Sequence, residues 1–116
     1  DPFDANKAEL VRNFQYTTAF IDSTGHCVFI AFAILDIPSG FEGMIEECNG
    51  VLGTNWTAAD VGRIGKEVID IERRFNRGAG LTNQDDRMPE FMKYEKLPPH
   101  NVVWDVPDET LDSVLS

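Results

Sequence analysis

"NWTAADVGRIGKEVIDIERRFNRGAG", Asn55 to Gly80, decides the fold. Thr57 followed three positions later by Asp60 has the form of a capping box, with aspartate in place of the usual glutamate, so a helix is expected to start there. Trp56 and Val61 occupy the hydrophobic-staple positions across that start. Val61, Ile64, Val68, Ile71 and Phe75 then recur at spacings of three and four, an apolar stripe on one helical face. Gly78 or Gly80 ends it.

The same reading extends upstream. "DANKAELVRNFQYTTAFID" places Leu10, Phe14, Thr17/Thr18 and Ile21 at helical spacing, with Val11 beside the stripe and Asp4 as candidate N-cap, and predicts an amphipathic helix ending at Gly25. "CVFIAFAILDI", Cys27 to Ile37, is almost wholly apolar and stops at Pro38-Ser39-Gly40; its length and two interior alanines favour a buried helix over a strand. A short helix is expected over Phe41 to Cys48, with Asn49-Gly50 as its stop.

Downstream the chain changes character. Four of the six prolines follow Arg87, so "MPEFMKYEKLPPHNVVWDVPDE" is expected to be mostly irregular chain laid over the helices. A last helix is expected to begin near Pro107, because proline suits a first turn. The fold class is therefore all-α: four or five helices with a long irregular C-terminal wrap, in one helical domain over residues 1–116. The chain opens at Asp1 and closes at "ETLDSVLS", inside a helical pattern, so both ends look cut and a fragment of a larger multidomain enzyme is expected.

Twenty acidic residues against ten basic ones give a formal charge of −10, spread along the chain. Nucleic-acid binding needs clustered Lys and Arg, and "ERRFNR" is the single basic patch, so no nucleic-acid partner is expected. No apolar run approaches the roughly 20 residues of a membrane span, and no leader pattern opens the chain. No membrane association is expected, and the localisation expected is cytoplasmic.

Two cysteines, Cys27 and Cys48, make neither a disulfide framework nor a complete metal site, which takes about four protein ligands. "DSTGHC", Asp22 to Cys27, gathers the candidate chemistry. Cys27 follows a turn and is expected to start an apolar helix, where free backbone N–H groups favour a thiolate as a metal or redox position; a free cysteine that simply packs is the competing reading, and the commoner one. Asp22 either caps the turn or faces the same cavity as Cys27. His26 has no partner identifiable from sequence. Cys48, beside Glu46 and Glu47, reads as structural. "GAG" at Gly78 to Gly80 follows a helix, so it is a helix stop and no dinucleotide fingerprint. Asp85-Asp86 resembles a calcium loop only superficially.

"DSTGHC" together with "GRIGKEVIDIERRFNRGAGLTNQDDRMPEFM" resembles the C-terminal part of the tungsten-containing aldehyde ferredoxin oxidoreductases. The elements that carry the likeness are Asp22, Gly25 and Cys27; Gly65, Glu72, Arg73, Phe75 and Asn76; Gly80; and Asp85, Asp86 and Pro89, in order over roughly residues 14–91. The resemblance implies oxidation of aldehydes to carboxylic acids at a tungsten (or molybdenum) centre held by two pterins, with electrons passing through a [4Fe–4S] cluster to ferredoxin. By that match Cys27 is the cluster's metal ligand from this region, Asp22 hydrogen-bonds a pterin, and the Gly25-His26 turn lets backbone approach the same cofactor. The family usually has leucine where this chain has His26. Its three upstream cluster cysteines and its N-terminal pterin domain are absent here, so no cofactor is expected on this piece alone, the remaining domains of the same chain are its expected partners, and it is expected to be catalytically silent. Glu72 and Arg73 are expected either to pair with each other's neighbours or to clamp the following loop, Asn76 to cap the helix, and Asp85, Asp86 and Pro89 to fix the exit loop; none is expected to be catalytic. A cofactor-free acidic helical binding module is the competing reading.

Overall fold

A computed structural model describes residues 7–115. Its elements are α1 (Lys7–Ser23), α2 (Ile30–Asp36), α3 (Pro38–Leu52), α4 (Ala58–Gly78) and α5 (Asp108–Val114). Two 3-10 turns, Asn83–Asp85 and Glu90–Lys93, interrupt the wrap between α4 and α5, and among the described residues the nearest thing to a strand is the single bridge between Leu97 and Val102. The all-α reading holds.

α4 starts as its sequence dictates. The Asp60 carboxylate accepts from the Thr57 backbone N–H and hydroxyl, both at 2.9 Å, and Val61 is buried just beyond. Trp56 lies edge-on to Phe20 of α1, ring centres 6.0 Å apart, so the residue before the cap ties two helices together. At the other end the Asn76 carbonyl accepts from the N–H groups of Ala79 and Leu81, and Gly80 turns the chain at φ +94°.

α1 crosses α4 at Gly65, which is buried. A Cβ there would overlap the Tyr16 carbonyl, so this crossing exists only because position 65 has no side chain. The core is small: Phe20, Ile21, Ala31, Ile34, Met44, Ile45 and Val61, with Phe41, Trp56 and Ile64 packed against it. Full burial of Phe20 and Ile21 contributes roughly 1.5–3 kcal/mol each.

Four expectations need correction. The α1 stripe is buried only at its end: Ile21 is inside together with Phe20, whereas Leu10 and Phe14 are exposed. The Asp4 cap lies outside the described residues. The apolar run from Cys27 is not a buried helix from its first residue; helix starts at Ile30, only Ala31 and Ile34 are buried among its side chains described, and Val28, Phe29, Phe32 and Ile37 face outward. Cys27 is therefore on a loop and not at a helix start. α3 runs from Pro38 to Leu52, through the expected stop at Asn49-Gly50. Pro38 forces Ile37 into extended backbone and supplies the first helical residue, and the stop is Gly53 at φ 68°.

Asn49 is inside the helix because its side chain has other work. Its Nδ2 donates to the Trp56 carbonyl at 2.9 Å, and its Oδ1 accepts from the Thr54 hydroxyl and the Trp56 N–H, both at 2.7 Å. The α3–α4 loop is thus built on one amide.

The wrap is pinned by arginines. Arg73 donates to Asp86 and Asn83, each at 3.2 Å, and the Asp85 carboxylate accepts from the Thr82 N–H at 2.6 Å, so Arg73, Asp85 and Asp86 tie down the loop after α4. Arg87 reaches Asp112 at 2.9 Å and Asp108 at 3.3 Å and holds α5 down.

The molecule is open. Its radius of gyration is 17.3 Å, where a compact chain of this length has about 13 Å. Its accessible surface is 8465 Å², where a compact monomer of 13.0 kDa exposes about 6,300 Å².

Candidate functional site

α1 ends in a turn that the sequence writes residue by residue. The Thr24 N–H donates to the carbonyls of Phe20 and Ile21 at 3.1 Å, its hydroxyl donates to Ile21 at 2.6 Å, and the Gly25 N–H donates to the Asp22 carbonyl at 3.3 Å. Gly25 then takes φ +81°, which a side chain would disfavour, and no atom lies within 4 Å of where its Cβ would be. Backbone is bare on that side.

His26 has the partners that sequence did not reveal. Its Nδ1 meets the Thr24 hydroxyl at 2.7 Å and its Nε2 meets the Glu47 carboxylate of α3 at 3.3 Å. Cys27 follows, exposed and in no disulfide. Its carbonyl accepts from Ile30 N–H at 2.9 Å, and that of Val28 from Ala31 N–H at 3.0 Å, so the loop runs into α2 as turns. Phe29 and Phe32 lie beside each other, ring centres 6.5 Å apart, and with Val28 they form an exposed apolar face next to the thiol.

Asp22 is exposed and opens elsewhere, into a cleft of 540 Å³ between α1 and α4 lined also by Phe14, Thr18, Val68 and Glu72. Cys27 is not on that lining. The structure therefore joins Thr24, His26 and Glu47 and leaves Asp22 in a separate opening.

Cys48 is the counterpoint. It is buried on α3, and burial first, then the Glu47 charge, pushes its thiol above the usual range. It is a packing residue, as its acidic neighbours suggested. Asp85 and Asp86 are taken by Thr82 and Arg73. Among the described residues no group of three His, Cys, Asp or Glu side chains is placed to hold a metal ion. No helix among them is long and apolar enough to cross a membrane.

The chain matches, over residues 1–116, the family model described as aldehyde ferredoxin oxidoreductase, domains 2 and 3. It belongs to the aldehyde ferredoxin oxidoreductase family. Similar curated proteins are tungsten-containing aldehyde ferredoxin oxidoreductases, 35% identical over 101 residues in Pyrococcus furiosus, 33% in Pyrococcus horikoshii and 31% in Thermococcus kodakarensis. Each alignment covers 84% of this chain and 16% of the relative, so the chain spans about a sixth of the length of the curated relatives it matches. No solved structure matches the chain significantly.

One exposed thiol on a backbone-lined turn, beside an apolar face and with no carboxylate cluster around it, suits a soft metal better than a hard cation. As a thiolate it would be one of the four ligands that an iron–sulfur cluster takes.

Proposed function

We propose that this chain is the cofactor-contacting part of a longer tungsten or molybdenum bis-pterin oxidoreductase that oxidises aldehydes to carboxylic acids and passes electrons through a [4Fe–4S] cluster to ferredoxin. The observation that carries the reading is the exposed Cys27 thiol, standing free on its loop in a chain that matches the family over residues 1–116. When bound, the pterin-held metal supplies the oxidation and the cluster carries the electrons away.

This chain's own residues bind and orient. Cys27 ligates one iron as thiolate, and the neighbouring face of Val28, Phe29 and Phe32 keeps water from it once covered by the remaining domains of the same polypeptide. The Asp22 carboxylate accepts hydrogen bonds from a pterin. Backbone at Gly25 and His26 approaches the same cofactor, which the bare side of Gly25 permits. By itself the chain is inactive, because the other ligands lie outside it. Two free thiols suit the reducing cytoplasm as its compartment.

The test is anaerobic purification of the full-length polypeptide, wild type and Cys27→Ser. Iron, sulfide and tungsten or molybdenum in the wild type, with cluster lost from the variant, is the expected result. A full-occupancy cluster in Cys27→Ser would refute the ligand assignment.

A further inference from the structure

We propose that His26 is a positioning residue, which holds the Cys27 loop against α3 through its bonds to Thr24 and Glu47; the inference rests on the reading of Cys27 as a cluster ligand. Downstream of Cys27 the loop is fixed by backbone, through the carbonyls of Cys27 and Val28. Upstream the hinge is Gly25, at φ +81° with empty space beside it. The remaining freedom lies there, and the next side chain removes it. Nδ1 of His26 is held at 2.7 Å by the Thr24 hydroxyl, and Nε2 spans to Glu47 at 3.3 Å. The imidazole side chain is 22% exposed, while its partner on α3 is 66% exposed. Among the described residues this is the side-chain bond that links the loop to another helix. A leucine at this position would have neither bond to offer. The chain therefore ties its ligand loop with a polar strut, and fixing the loop before ligation lowers the ordering cost of placing the thiolate.

The experiment uses the full-length polypeptide that carries this chain, as wild type, His26→Leu, His26→Gln and Glu47→Ala. In the metal-free protein, amide hydrogen exchange is read over residues 25–29, and alkylation of buried Cys48 reports whether α3 is still packed. In the loaded protein the electron paramagnetic resonance spectrum of the reduced cluster is recorded. His26→Leu is expected to exchange about threefold to tenfold faster over the loop, the range that one or two exposed hydrogen bonds give, with Cys48 protected and the cluster spectrum altered. His26→Gln, whose amide nitrogen reaches the place of Nε2, is expected to restore both toward wild type. Should His26→Leu expose Cys48, Glu47→Ala takes its place, since that exposed carboxylate contributes little to packing and its loss is expected to free the loop alike. Wild-type loop exchange and an unchanged spectrum in a variant with Cys48 protected would overturn the role of His26 alone. A cluster retained in Cys27→Ser would overturn the ligand reading and this inference together.

Discussion

Gly65 of α4 and Tyr16 of α1 meet backbone to side-chain-free backbone: a Cβ on Gly65 would overlap the Tyr16 carbonyl. The crossing places Phe20 against Trp56, so the turn that carries Thr24, Gly25 and Cys27 is aimed by this contact. Gly65→Ala is expected to cost about 3 kcal/mol or more, because the obstacle is backbone and cannot rotate away. Gly62→Ala, on the same helix with open space at its Cβ, is expected to stabilise by about 0.5–1 kcal/mol through helix propensity. Urea unfolding followed by circular dichroism separates the two, and equal midpoints would contradict the close approach.

The two cysteines are expected to differ sharply in labelling. Cys27 is exposed and reacts with iodoacetamide in the native protein. Cys48 is 7% exposed with its thiol pushed up by burial, and is expected to react about 100-fold more slowly or less, since labelling needs a local opening. Peptide mapping by mass spectrometry reads both rates in one sample.

Acid is expected to weaken both helix-type starts that aspartate caps. The Thr57 backbone N–H, then Arg63, then the Thr57 hydroxyl hold Asp60 below the usual carboxylate range, and the Thr82 backbone N–H and hydroxyl do the same for Asp85. A depressed carboxylate contributes stability that is present above its unfolded value of about 3.9 and is lost as pH falls through its lower folded value. Asp60→Asn and Asp85→Asn should each flatten the acid limb of a stability profile below about pH 4. An unaltered limb in both would refute the caps.

Arg73→Lys is expected to loosen the exit loop while leaving helix content intact. The guanidinium reaches Asp86 and Asn83 at once, and a single ammonium lacks that fork. Limited proteolysis over residues 81–88 should run several-fold faster in the variant, and an unchanged cutting rate would show that the clamp is dispensable.

Much of the fold was legible because it is written locally. Thr57, Asp60 and Val61 state a helix start without reference to the rest of the chain, and Gly80 states its end. The DSTGHC turn was legible for the same reason at Gly25. What was not legible depends on contacts distant in sequence. Asn49-Gly50 looks like a stop until Asn49 is seen bonded to Trp56, seven residues on. His26 looks partnerless until α3 brings Glu47 beside it, twenty-one residues on. The one signal for Gly65 was a glycine inside a strongly periodic helix, where a close approach is a standard reason for it. The run from Cys27 to Ile37 misled in another way. Apolar sequence states that a surface is meant to be covered, and does not say by which part of the polypeptide; Phe29 and Phe32 are apolar and exposed here.

The thickness of the molecule carries its own consequence. At 51 × 38 × 22 Å it is a slab, and 22 Å is about two helix diameters. In a two-layer slab each helix turns one side to its sister and the other to whatever lies beyond. Saturation mutagenesis of the full-length polypeptide should therefore map sensitive positions on both flanks of α1 and α4, with Leu10, Phe14, Ile71 and Phe75 as intolerant of charge as Phe20 and Val61 are.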